Sequence, residues 1–171
     1  MQAESKARLI GPDEGARQQI GGARPSIKVG PITGSRLHGL LVSELPPGGG
    51  FAIAHWHEDF EETFYVLEGE IEYLLGETWH SAIAGTTVFV PPGTVHAFRN
   101  RGEEPAKHLV VGAPAELMDL IAELGAADPQ QFEAVHERHR SHFAHESPYF
   151  PAGAVASADV ITTTVERIQD G

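Results

Sequence analysis

An all-β, single-domain fold with short C-terminal helices is what this sequence predicts, on three observations. From Ser26 to Gly112 the chain runs as short apolar stretches broken by glycine and proline, the pattern of an antiparallel sandwich or barrel. A helical period of apolar residues appears only after Pro114. A length of 171 residues, 41% hydrophobic and 21% charged, suits one domain with a core large enough to fold unaided.

Residues 1–25 are polar and glycine-rich, with no clear period, and are expected to form an N-terminal arm. The barrel is expected over 26–113, with strands at 26–29, 36–45, 51–57, 62–68, 70–75, 78–83, 86–90, 95–99 and 106–112. Leu67-Glu68-Gly69-Glu70 and Gly76-Glu77 suit tight hairpins. A helical segment is expected over 114–146. Pro114-Ala115-Glu116 opens a helix whose Leu117, Leu120, Ile121 and Leu124 fall at i, i+3, i+4 and i+7, ending at Gly125. Asp128-Pro129 supplies an N-cap and first-turn proline for a second helix reaching about His142. Its sparse apolar residues, Phe132, Val135 and Phe143, suit a cover over a barrel flank or a dimer contact.

His136, His139, His142 and His145 recur every three residues, but such steps drift around a helix. His136-Glu137-Arg138-His139 is also one residue short of the zinc-protease H-E-x-x-H spacing, so a solvated, titrating face is expected there. The tail, 147–171, contains the run Val160-Ile161-Thr162-Thr163-Thr164-Val165, a strand candidate able to add to a sheet edge of its own or of a second subunit.

The net charge of −12 argues against nucleic acid or an anionic membrane as partner. No apolar run approaches the ~20 residues of a membrane span. The first residues, Met1-Gln2-Ala3-Glu4-Ser5-Lys6, lack the apolar segment of a signal peptide. With no cysteine, disulfides and thiolate metal ligands are excluded, which suits a cytoplasmic protein. The barrel segment holds few cations, Lys28, Arg36, Arg99, Arg101 and Lys107, which argues against a sugar-phosphate substrate.

Chemistry concentrates in two motifs. The first, G-x5-H-x-H-x4-E-x6-G, comprises Gly49, His55, His57, Glu62 and Gly69; the second, G-x5-P-x-G-x2-H-x3-N, comprises Gly85, Pro91, Gly93, His96 and Asn100. Alternate residues of a strand share a face, so His55 and His57 aim two imidazoles at one point while Trp56 faces away. Glu62 follows a turn at Glu58-Asp59-Phe60, and His96 follows the Pro91-Pro92-Gly93-Thr94 turn. Three imidazoles and a carboxylate suit one divalent Fe, Mn, Ni, Co, Cu or Zn ion and leave coordination positions open. By strand parity Phe51 and Ile53 share a face with His55, Phe64 and Val66 with Glu62, and Phe98 with His96. These five are the expected walls of a substrate pocket.

Both motifs, matched at every named position, resemble those of the cupin superfamily, and the 15 residues from Glu70 to Ala84 between them have the short length common in microbial members. The resemblance covers about residues 36–125 and implies the double-stranded β-helix, or jelly-roll barrel. It is closest to small bacterial cupins of the quercetin-dioxygenase-like group. What it implies is a metal-dependent dioxygenase acting with O2 on an enolisable aromatic or flavonol-like small molecule. His55, His57, Glu62 and His96 would be the ligands and Glu62 also the base, with Glu61 and Asp59 next in line. Rival readings are a non-redox isomerase, lyase or polyketide-cyclase type using the ion as Lewis acid, and a binding cupin without turnover. Small cupins pair through sheet edges, so a homodimer is expected as well.

Overall fold

The computed structural model describes residues 6–148. Its strands are β1 (Ala16–Arg17), β2 (Arg24–Val29), β3 (Gly39–Leu45), β4 (Gly50–His57), β5 (Glu61–Glu68), β6 (Glu70–Leu75), β7 (Thr78–Ile83), β8 (Thr87–Val90), β9 (His96–Arg99), β10 (Ala106–Ala113) and β11 (Ser141–Phe143). Two helices, α1 (Leu117–Ala126) and α2 (Phe132–Arg138), lie between β10 and β11. The strands form a six-stranded sheet, β1-β2-β3-β10-β5-β8, and a five-stranded sheet, β11-β4-β9-β6-β7, with antiparallel pairing throughout. Each expected barrel strand is present, within three residues of its expected bounds.

Alternation decides what lies between the sheets. Leu41, Ser43 and Leu45 of β3, Glu62, Phe64 and Val66 of β5, and Ala106, His108 and Val110 of β10 are buried, while most of their neighbours in sequence are partly or fully exposed. Nearly all of β4 is buried, on both faces, because Ala54 packs with Leu74 and Ala97 on the side away from the main core.

Helix α1 closes one end of the barrel with Leu117, Met118, Leu120 and Leu124 buried. It can approach because two register partners, Gly39 of β3 and Gly112 of β10, lack side chains. A Cβ at Gly39 would lie 2.2 Å from Met118 Cγ, and one at Gly112 would lie 2.1 Å from Leu117 Cδ2.

Two segments differ from expectation. Within the expected arm, residues 16–17 and 24–25 join the six-stranded sheet, Ile20 is buried in the main core and Ala23 is buried as well, so apolar burial holds this stretch to the barrel. The second helix stops at Arg138 rather than near His142. Arg140 adopts φ 53°, which ends the turn, and Ser141, His142 and Phe143 then pair with His57, Trp56 and His55 along the edge of β4. Pairing with that edge satisfies backbone groups that a longer helix would have left open. The strand candidate at 160–165 lies outside the described residues. Among the described residues, no helix is long and apolar enough to cross a membrane.

Candidate metal centre

β4 carries His55 and His57 on its inner face, and β9 sets His96 directly opposite His55. Glu62 reaches in from β5 of the other sheet, so the cluster bridges the two layers. All four residues are buried, and one ligand atom from each lies within 4.8 Å of the others. The imidazole centroids of His55 and His96 are 4.2 Å apart, and that of His57 is 5.2 and 5.1 Å from them.

The hydrogen bonds around the cluster assign the tautomers. His55 Nδ1 donates to Ile53 O at 2.8 Å and His96 Nδ1 to Thr94 O at 2.9 Å. Ser141 Oγ donates to His139 O at 3.3 Å and so accepts from His57 Nδ1 at 2.6 Å. Each ring therefore turns its Nε2 lone pair inward, the orientation a metal ligand needs. Glu62 Oε2 lies 2.7 Å from His96 Nε2 and 3.2 Å from His57 Nε2. A neutral imidazole already donating through Nδ1 has no proton for a carboxylate at its other nitrogen. A cation between these atoms would satisfy the facing lone pairs, and the donor set fits a divalent transition metal.

The electrostatics favour the same arrangement. Burial pulls the His55 and His57 imidazoles below their ordinary range, and the neighbouring imidazole of His96 adds to this, so neutral, ligating rings are preferred. Burial by itself would raise the Glu62 carboxyl. The close approach of the His57 and His96 imidazoles outweighs it and holds that group well below the usual carboxylate range, so Glu62 is an anion at neutral pH.

A cavity of about 60 Å³ opens against His55, His57 and Glu62. Of the five expected pocket residues, Phe51, Phe64 and Phe98 line it. Ile53 and Val66 are buried in the main core but are not among the residues that line it. For Ile53 the reason is local: the β4–β9 register shifts between Phe51 and His55, and such an irregularity re-aims the intervening side chain. At 10–15 Å³ per water-sized group, the cavity holds on the order of five such groups. Among the described residues, none that lines it is a lysine or arginine.

The histidine series after residue 135 does not form one solvated face. His136 is buried, lines the cavity and stacks on Phe51 at 5.7 Å, with its ring 5.5 Å from His55. Its Nδ1 donates to Phe132 O at 2.8 Å, and burial lowers its pKa to about 3, leaving a neutral ring with Nε2 as acceptor. His139 and His142 pair instead with Glu123 and Glu58, each at 2.7 Å, and His145 pairs with Glu133. Helical spacing alone did not separate them, because α2 ends at Arg138 and only His136 falls on its buried side. Ser141, which orients His57 from 84 residues away in sequence, carried no sequence signal.

Residues 41–112 match the family model described as Cupin domain. An uncharacterized protein of Methanocaldococcus jannaschii is 32% identical over 74 residues, a match covering 43% of this chain and 59% of that relative. Among solved structures, a sugar phosphate isomerase from a cupin superfamily of Silicibacter pomeroyi is 24% identical, with a TM-score of 0.56 over 62% of this chain and 75% of its own. The polyketide cyclase RemF from Streptomyces resistomycificus is likewise 24% identical, with a TM-score of 0.58 over 65% of this chain and 81% of its own. At that identity both likenesses concern the fold.

Proposed function

We propose that this chain, whose residues 41–112 match the Cupin domain model, is a metal-dependent cupin enzyme that oxygenates a compact, uncharged, enolisable small molecule. The observation that carries this reading is the convergence of three inward-facing imidazole nitrogens and one ionised carboxylate at the wall of a mostly apolar cavity. His55, His57, Glu62 and His96 would hold the ion. A divalent metal there would lower the pKa of a substrate hydroxyl and, if redox-active, serve as the meeting point of substrate and O2.

The chain's own residues supply the rest. Glu62, ionised and desolvated, accepts the proton of the substrate hydroxyl or acidic C–H. Phe51, Phe64 and Phe98 exclude water and hold an apolar body against the cluster. Among the described residues lining the cavity none is a lysine or arginine, so beyond the ion itself nothing there balances a phosphate, which supports an uncharged substrate.

A second reading, non-redox isomerisation, lyase or cyclase chemistry with the metal as Lewis acid, is favoured by one observation. His136 Nε2 is a further neutral acceptor at the site, able to pass a proton between two carbons of a bound carbonyl compound. Oxygen uptake separates the two. Protein reconstituted separately with Fe, Mn, Ni, Co, Cu and Zn is offered compact enolisable ketones and phenols, with flavonols alongside, in an oxygen electrode. Uptake with a redox-active metal and none with Zn is expected. No uptake across the panel would overturn oxygenation in favour of the second reading.

A further inference from the structure

Besides His136, two polar residues break the apolar wall of the same cavity, and the metal cluster uses neither. Ser43 of β3 and His108 of β10 are register partners, so their side chains stand side by side on the inner face of the six-stranded sheet. Both line the cavity, at 2% and 0% exposure. Ser43 Oγ and His108 Nε2 have no hydrogen-bond partner among the described residues. A buried polar atom without a partner is costly, on the order of a whole hydrogen bond, and two adjacent ones aimed into one cavity call for an explanation.

The other side of the imidazole fixes its chemistry. Tyr73, itself buried, places its hydroxyl 2.8 Å from His108 Nδ1. With burial raising the Tyr73 pKa, the phenol keeps its proton and donates it to Nδ1, which puts the ring proton of His108 on Nε2. Nε2–H is then a donor directed into the cavity. Burial lowers the His108 pKa to about 3, so this donor carries no charge at neutral pH. The Ser43 hydroxyl beside it can donate or accept. A neutral donor pair of this kind suits a ketone or hydroxyl oxygen and offers nothing to balance a carboxylate or phosphate.

We propose that Ser43 and His108 form a second binding subsite, which holds a neutral oxygen atom of the substrate while another part of the molecule meets the metal cluster. The Phe64 ring lies beside both places, 5.5 Å from the His108 ring and 6.4 Å from that of His96. A substrate spanning them thus carries two oxygen functions separated by an apolar body that packs on Phe64 and Phe98. This rests on the reading that the cavity receives the substrate, and it adds the substrate class: a compact, neutral molecule bearing two oxygen groups.

The test uses the full chain, zinc-loaded and labelled with ¹⁵N-histidine, titrated with cyclopentanone and with its hydrocarbon isostere methylidenecyclopentane. The ketone should bind more tightly by about fivefold for each hydrogen bond gained and should move the His108 Nε2 resonance, whereas the hydrocarbon should not. Ser43→Ala should cut the ketone preference several-fold. Equal affinities, no saturable binding of the ketone, or binding that leaves the His108 resonance still would each overturn the proposal; the last includes a ketone held by zinc alone, or a resident water that keeps it from these two residues. Zinc content measured on the same samples reports separately on the metal cluster, and the His108 resonance can be read whether or not zinc is bound.

Discussion

Lowering the pH should destabilise this barrel through His108, by an amount the structure allows to be worked out. The ring is fully buried, with the centroids of Phe98 and Phe64 at 4.9 and 5.5 Å, and its pKa falls to about 3. In the unfolded chain the same imidazole titrates near 6.5. Between those values the unfolded chain takes up a proton that the folded chain refuses. The stability of the neutral ring is therefore complete above about pH 6.5 and lost as pH falls towards 3. Each pH unit in that window costs about 1.4 kcal/mol, and the whole window costs roughly 5 kcal/mol, against a typical domain stability of about 5–15 kcal/mol. The assay is urea unfolding of metal-free protein at several pH values between about 4 and 7.5, followed by circular dichroism. Wild type is compared with the double variant Tyr73→Phe/His108→Phe, which removes phenol and imidazole together and so leaves no orphaned hydroxyl. His55, His57 and His136, also lowered by burial, contribute to both proteins and cancel in the comparison. Wild-type stability should fall more steeply below pH 6, by about 1.4 kcal/mol per unit. Equal slopes would refute the burial argument for His108 and with it the neutral donor assigned to Nε2.

Four further outcomes are expected. Metal analysis of the isolated protein should give about one divalent ion per chain, and His55→Ala with His57→Ala should abolish it while the far-ultraviolet spectrum stays β-like; full occupancy in that variant would sink the ligand assignment. Ser141→Ala should keep the fold and weaken metal affinity by about 10–100-fold, measured by competition with a chelator, because His57 loses the group that orients it. Glu62→Gln, compared with wild type at equal metal loading, should lose about 10²–10⁴-fold in turnover while its melting profile changes little, and unchanged turnover would move the base to Glu61 or Asp59. Light scattering should give about twice the chain mass of 18.4 kDa, with Phe89→Lys on the edge strand β8 shifting it towards the monomer; a monomer at micromolar concentration in wild type would refute the expected homodimer.

Much of this protein is local and therefore visible in sequence. Period-two alternation and glycine–proline punctuation define each barrel strand, because pleat and turn chemistry act over a few residues. H-x-H on one strand, with Glu62 and His96 at fixed distances past two turns, specifies the metal cluster for the same reason. Alternation even marks Ser43 and His108 as inward-facing, although a lone serine and a lone histidine on apolar strands carry no chemistry until the two are known to stand side by side. Tertiary structure decided the remainder. Pairing of β11 with β4 stops the second helix early and brings Ser141 to His57, and docking of α2 buries His136 while His139 and His142 find surface carboxylates. A register shift in β4 takes Ile53 out of the cavity wall, and burial of Ile20 and Ala23 draws the expected arm onto the barrel. Each of these depends on contacts between residues far apart in sequence, whose free energy appears only once the two sheets have closed on each other. The sequence alone determined the barrel and its four-residue centre, while long-range packing determined what else faces that centre.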